Sequence, residues 1–108
     1  MNTQSLLIAL VAVQFFVHAL VWAMTAHMAR RWHSTAGHLA LFWLCLGLGL
    51  GLFVPPWDSG SALRNLADLL IIAAAMSEHR AQALHWGHQP PLRRYAAGLA
   101  LAAALIAA

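Results

Sequence analysis

From about Ser5 to Met28 the chain carries no Asp, Glu, Lys or Arg, and Gln14, His18 and Thr25 interrupt an otherwise apolar run. As a helix, an uncharged run of roughly 20 residues is long enough to cross a hydrocarbon core about 30 Å thick. In water the same run needs an interior, and a chain of 108 residues has little of one. The rest of the sequence sharpens the problem. Hydrophobic residues make up 62% of it and charged ones 8%, where about 25% charged is usual. A lipid bilayer accepts the surface that no small core can hide. The run also reads as a retained span and not a secretory leader. No charge precedes it, it contains Phe15, Phe16 and Trp22, and no convincing small-x-small cleavage site follows.

The pattern predicts an all-α, polytopic transmembrane helical bundle of about four spans. Span one covers about 5–28 and span two about 37–54. Pro55-Pro56 ends the second, because proline lacks an amide donor and biases its predecessor away from helix. Trp57 follows at a position suited to an interfacial aromatic belt. The polar turn Asp58-Ser59-Gly60-Ser61 offers caps for the next helix. Span three covers about 62–80 and extends as a polar helix to about Trp86, with Gly87 as C-cap and Pro90-Pro91 as a stop. Span four, about 95–108, reaches only about 21 Å at helical rise. It is therefore expected to be cut short, with more polypeptide after Ala108.

The arginines set an orientation. Arg30 and Arg31 lie between spans one and two, and Arg80, Arg93 and Arg94 between spans three and four. Arg64 alone lies near the connection of spans two and three. Basic residues favour the cytoplasmic side. The expected location is a bacterial inner membrane, crossed several times, with the N-terminus in the periplasm. The lipid bilayer is the first partner. Nucleic acid is excluded, since arginines at segment ends form no basic face with base-reading groups.

Gly47 and Gly51 stand one helical turn apart and form a GxxxG pair, which predicts close helix packing and a homodimer as a further use. Arg64, Asn65 and Asp68 form a polar site in the outer part of span three. Arg64 and Asp68 are four apart, share a face and are placed to pair. Ionisable groups at membrane depth often mark function.

Seven histidines remain to be explained. Only His18 lies deep in a span. Imidazole ligates haem and transition metals, so His27, His38, His79, His85 and His88 are candidate ligands for haem b or a metal. His27 and His79 match in depth, and His85-x-x-His88 has chelating spacing. Interfacial placement explains the same residues without any cofactor. Cys45, the one cysteine, sits in an apolar run and reads as a small buried hydrophobe. No catalytic constellation is present: there is no lysine, no paired carboxylate site, and no serine in a nucleophile elbow.

From about Gly37 onward the order of features resembles a known family. A Leu/Gly-rich span leads into the Pro55-Pro56-Trp57 turn and a helix opening Leu63-Arg64-Asn65-Leu66. That helix runs into Glu78-His79-Arg80 and His85-Trp86-Gly87-His88-Gln89-Pro90-Pro91, and an Ala/Leu-rich span follows Arg93-Arg94. This resembles the N-terminal multi-span region ahead of GGDEF domains in many proteobacterial diguanylate cyclases. Asn65 stands where that family often has an Asn, and Arg80, Gly87 and Pro90 stand in its short stretch after the third span. The histidine load is heavier than the family's. The resemblance implies a region that anchors, dimerises and senses for a downstream cytoplasmic domain, which would join two GTP molecules into cyclic di-GMP. Two other classes fit the residues: a small haem- or metal-binding membrane protein, and a structural or transport subunit with Arg64 and Asp68 lining a polar path.

Overall fold

A computed structural model describes residues 2–55, 57 and 60–108, and the description below concerns these. They form four α-helices and no strand: α1 (Thr3–Met28), α2 (Thr35–Gly51), α3 (Ser61–His85) and α4 (Leu92–Ala107). Pro56, Asp58 and Ser59, assigned above to a helix stop and a cap, lie outside the described residues.

The helix ends follow local chemistry. Asn2 caps α1, its side-chain oxygen accepting from the Ser5 amide at 2.7 Å. This starts the helix two residues before the expected Ser5. α2 begins at Thr35 and stops at Gly51, earlier at both ends than 37–54; Phe53 and Val54 then close tight turns onto the carbonyls of Leu50 and Gly51. α4 begins at Leu92 directly after Pro91, so Arg93 and Arg94 lie in its first turn and not ahead of it.

Helices α1 and α3 end in the same way. At α3, the His88 amide bonds the Ala83 carbonyl at 2.8 Å and the Gly87 amide bonds Leu84 at 3.1 Å. This is a Schellman motif, and Gly87 takes the left-handed conformation it needs, at φ 83. At α1 the paired bonds are Arg31 to Ala26 at 3.0 Å and Arg30 to His27 at 3.1 Å. Here the left-handed position is Arg30, at φ 52. An L side chain in that region costs about 1 kcal/mol or more. Arg30→Gly is therefore expected to raise stability by roughly 0.5–1 kcal/mol, read as a higher unfolding midpoint in detergent.

The helices pack in sequence order, α1 on α2, α2 on α3 and α3 on α4. The molecule measures 44 × 33 × 17 Å. Four helices side by side at the usual spacing of about 8–10 Å make a row roughly 30 Å wide. The expected bundle is thus a layer in which α2 is flanked on both sides.

Small residues make the contacts. On α1 the buried positions are Ser5, Ala12, Ala19 and Ala26, one every seven residues. On α3 they include Ala67, Ala74 and Ala81, again seven apart. A seven-residue repeat keeps one seam of a helix against its neighbour. On α2, a side chain at Gly47 would meet Phe16 at 3.1 Å and the Ala12 carbonyl at 3.4 Å. At Gly49 it would meet Ile71 at 3.0 Å and the Ala67 carbonyl at 3.2 Å. Positions two apart on a helix differ by about 200°, so Gly47 faces α1 and Gly49 faces α3. Of the expected Gly47/Gly51 pair, Gly47 packs within the chain, while Gly51 has nothing within 4 Å of a built Cβ. The alternating leucines and glycines serve a helix packed on two opposite sides.

Among the described helices, α1 alone is both long and apolar enough to cross a membrane, with 26 residues and a mean hydropathy of 2.3 over an 18-residue stretch. α2 is apolar but has 17 residues. α3 has 25 residues, but Arg64, Asn65 and Asp68 near one end and Glu78, Arg80 and Gln82 near the other interrupt its apolar stretch. α4 has 16 residues.

Candidate functional site

The succession of antiparallel helices gathers polar residues at one end of the layer. There the C-terminal ends of α1 and α3 meet the N-terminal ends of α2 and α4. Thr35 at the start of α2 donates its hydroxyl to the Ala81 carbonyl near the end of α3 at 3.4 Å. His79 and Tyr95 meet across α3 and α4, with His79 Nδ1 at 2.8 Å from the Tyr95 hydroxyl. Arg30, Arg31, Arg80, Arg93 and Arg94 all belong to this end by their place on the helices.

Between α2, α3 and α4 at this end lies a pocket of about 300 Å³. Its apolar wall comprises Leu41, Ala73, Met76, Leu92 and Leu99, and its polar rim comprises His38, Ser77, Arg80 and Tyr95. Arg80 is held from two directions. Its Nη1 donates to the Pro90 carbonyl at 3.2 Å. Its guanidinium lies 6.0 Å from the centre of the Tyr95 ring, at the outer reach of a cation–π contact. Its Nε is buried and has no hydrogen-bond partner. His38 Nδ1 donates to the Ser34 carbonyl at 2.9 Å, which orients its ring in the pocket lining. Ser77 donates to the Ala73 carbonyl at 2.9 Å and so has its proton in use within α3.

Tyr95→Phe is expected to lower stability by about 0.5–1.5 kcal/mol, toward the low end because His79 is exposed. The ring under Arg80 remains in this variant. Tyr95→Ala also removes the ring and is expected to cost more, measured as the shift in unfolding midpoint between the two variants.

The histidines are spread out and not gathered. Among the described residues, no three His, Cys, Asp or Glu side chains are grouped to hold a metal. His27 on α1 and His79 on α3 are separated by α2, which corrects the pairing expected from depth. His27 lies near Trp32, with ring centroids 6.2 Å apart. His85 packs edge-on to Trp86 at 5.5 Å. His88 shares a shallow pocket with His79, Gln82 and Trp86. The deep histidine, His18, is satisfied locally: Nδ1 donates to the Gln14 carbonyl at 2.8 Å, and the ring stacks on Trp43 at 4.7 Å.

Arg64, Asn65 and Asp68 lie at the other end of α3, away from this pocket. Arg64 and Asp68 are exposed and Asn65 half-buried, and no ion pair joins Arg64 to Asp68.

The pocket was not anticipated from sequence. In the sequence Tyr95 stands at the start of an apolar run and Arg80 among the arginines that set orientation, and the local signal for the pocket is their place on two helices joined by a short Pro-rich turn. In chemical terms the site offers one fixed cation beside an apolar slot. No family model matches the chain, and neither a curated protein nor a solved structure matches it.

Proposed function

We propose that this chain is a multi-pass membrane module of a bacterial inner membrane, serving to anchor a signalling protein and pass a sensed change to it. The observation that carries the reading is the sorting of side chains by size. Ala26 and Ala67 are 0% exposed, while Leu20 is 60% exposed and Leu105 69%. No large side chain is fully buried among the described residues. A water-soluble core does the reverse, placing its large apolar side chains inside. In lipid no hydrophobic force drives helices together, so close packing through small residues supplies the contact and large apolar groups face outward. Exposed apolar surface on this scale needs lipid or protein to cover it.

The basic end then faces the cytoplasm and the N-terminus the periplasm. α2 and α4 cross through local thinning or tilt of their neighbours. The resemblance described above adds the signalling role: a dimeric input region whose helix packing is coupled to a cytoplasmic GGDEF domain making cyclic di-GMP.

Membrane fractionation tests the first half. The chain is expected to stay in the membrane after alkaline carbonate washing. Reporters placed after Arg31 and after His88 should behave as cytoplasmic, and one placed after Trp57 as periplasmic. Release by carbonate, or all reporters on one side, would defeat the multi-pass reading. Cyclic di-GMP measured in cells producing the full gene product tests the second half, and an unchanged level would remove the signalling role.

A further inference from the structure

We propose that the pocket between α2, α3 and α4 holds one anionic phospholipid, its phosphate read by Arg80 and the first part of one acyl chain lying along Leu41, Ala73, Met76 and Leu99. The inference rests on the membrane reading above and assigns a partner to a defined place in the fold.

The Arg80 Nε is a buried donor without an acceptor. A buried donor left unpaired is costly, and a charged one more so. The Pro90 carbonyl and the Tyr95 ring orient the guanidinium but neutralise none of its charge. No carboxylate lines the pocket, and Glu78, on the same turn of α3, is exposed. An anion beside the guanidinium would balance this charge, and arginine suits phosphate through its planar fork of donors.

The rest of the pocket says what the anion is attached to. His38, Ser77 and Tyr95 also line the pocket, but the surface that they and Arg80 leave open to it is almost wholly apolar, too apolar for a free phosphate or a nucleotide. It runs from the basic end along α3 and α4, from Arg80 and Tyr95 to Ala73 and Leu99, in the direction an acyl chain takes below its headgroup. At about 300 Å³ it is at the small end of ligand sites, roughly 300–1,000 Å³. That size suits one headgroup-proximal chain segment. Basic pockets between helices on the cytoplasmic side are where anionic headgroups bind.

The test uses the full chain in detergent micelles, with native mass spectrometry to count retained lipid. Phosphatidylglycerol and phosphatidylcholine of identical chains are added in turn. Wild type is expected to retain one phosphatidylglycerol and to release phosphatidylcholine. Arg80→Gln is expected to weaken retention about tenfold or more, and Arg80→Lys to recover part of it. Ala96→Trp, which fills the pocket and leaves Arg80 intact, is expected to abolish retention. Arg93→Gln, on an exposed arginine of the same end, is expected to change nothing. Equal retention of both lipids, or unchanged retention in Arg80→Gln and Ala96→Trp, overturns the proposal. Inorganic phosphate binding as tightly as phosphatidylglycerol also overturns it, by making the site one for a free anion. A chain that resists carbonate extraction yet shows no lipid preference loses this inference alone; a chain released by carbonate loses the membrane reading as well.

Discussion

Gly49→Leu is expected to separate α3 from α2 and to lower stability by about 3 kcal/mol, while Gly51→Leu leaves it within about 0.5 kcal/mol. The contrast follows from what each new side chain meets. At position 49 the first atoms in the way include the Ala67 carbonyl, 3.2 Å from a Cβ. Backbone cannot rotate aside, so the helix itself must move. Ala67 is 0% exposed and Ala74 1%, so the seam has no slack to absorb the shift. At position 51 the space is open. Gly47→Leu should fall between, because its nearest neighbour is the Phe16 ring at 3.1 Å, a side chain that can turn. Unfolding titrations in micelles, followed by helical circular dichroism, rank the three. A GxxxG interface predicts another order, with Gly47 and Gly51 sensitive and Gly49 tolerant. Equal losses at 49 and 51 would refute the two-sided packing of α2.

That inversion of a glycine pattern shows where sequence reading stops. Helix identity was legible because long apolar runs broken by Pro, Gly and polar turns leave few options. Gly87 as a C-cap was legible because left-handed backbone favours glycine. Arg30 in the same role was not, since nothing in an arginine announces positive φ. The contact seams were present as the seven-residue recurrence Ser5, Ala12, Ala19, Ala26 and Ala67, Ala74, Ala81. They pass unnoticed because alanine is common in apolar helices. Which glycine of Gly47, Gly49 and Gly51 packs depends on how many neighbours α2 has, a tertiary fact. The same holds for the pocket. Arg80 looks like a topological charge until α4 brings Tyr95 and the turn brings Pro90 against it. The histidines admit both an interfacial and a ligand reading from sequence, and only the helix order shows that α2 lies between His27 and His79.

Val17→Arg separates the two environments that the exposed apolar faces admit. Val17 lies near the middle of α1 and is 54% exposed. On a protein surface in water, such a change stays within about 0.5 kcal/mol. At the centre of a membrane-spanning helix, arginine costs about 2.5–3.5 kcal/mol for insertion. Alternative relief by snorkelling is limited at mid-helix, because the side chain must reach a headgroup across about half the span. The expected result is therefore a drop of roughly a hundredfold in the inserted-to-uninserted ratio, measured by glycosylation mapping of α1 in microsomes. Thr25→Arg, on an exposed position nearer the basic end, should cost far less, since charge at headgroup level is cheap. A steep difference between the two positions means that depth in a bilayer sets the cost. Equal, small effects would place α1 in water or against protein, and the outward-facing leucines would then need a protein partner to cover them.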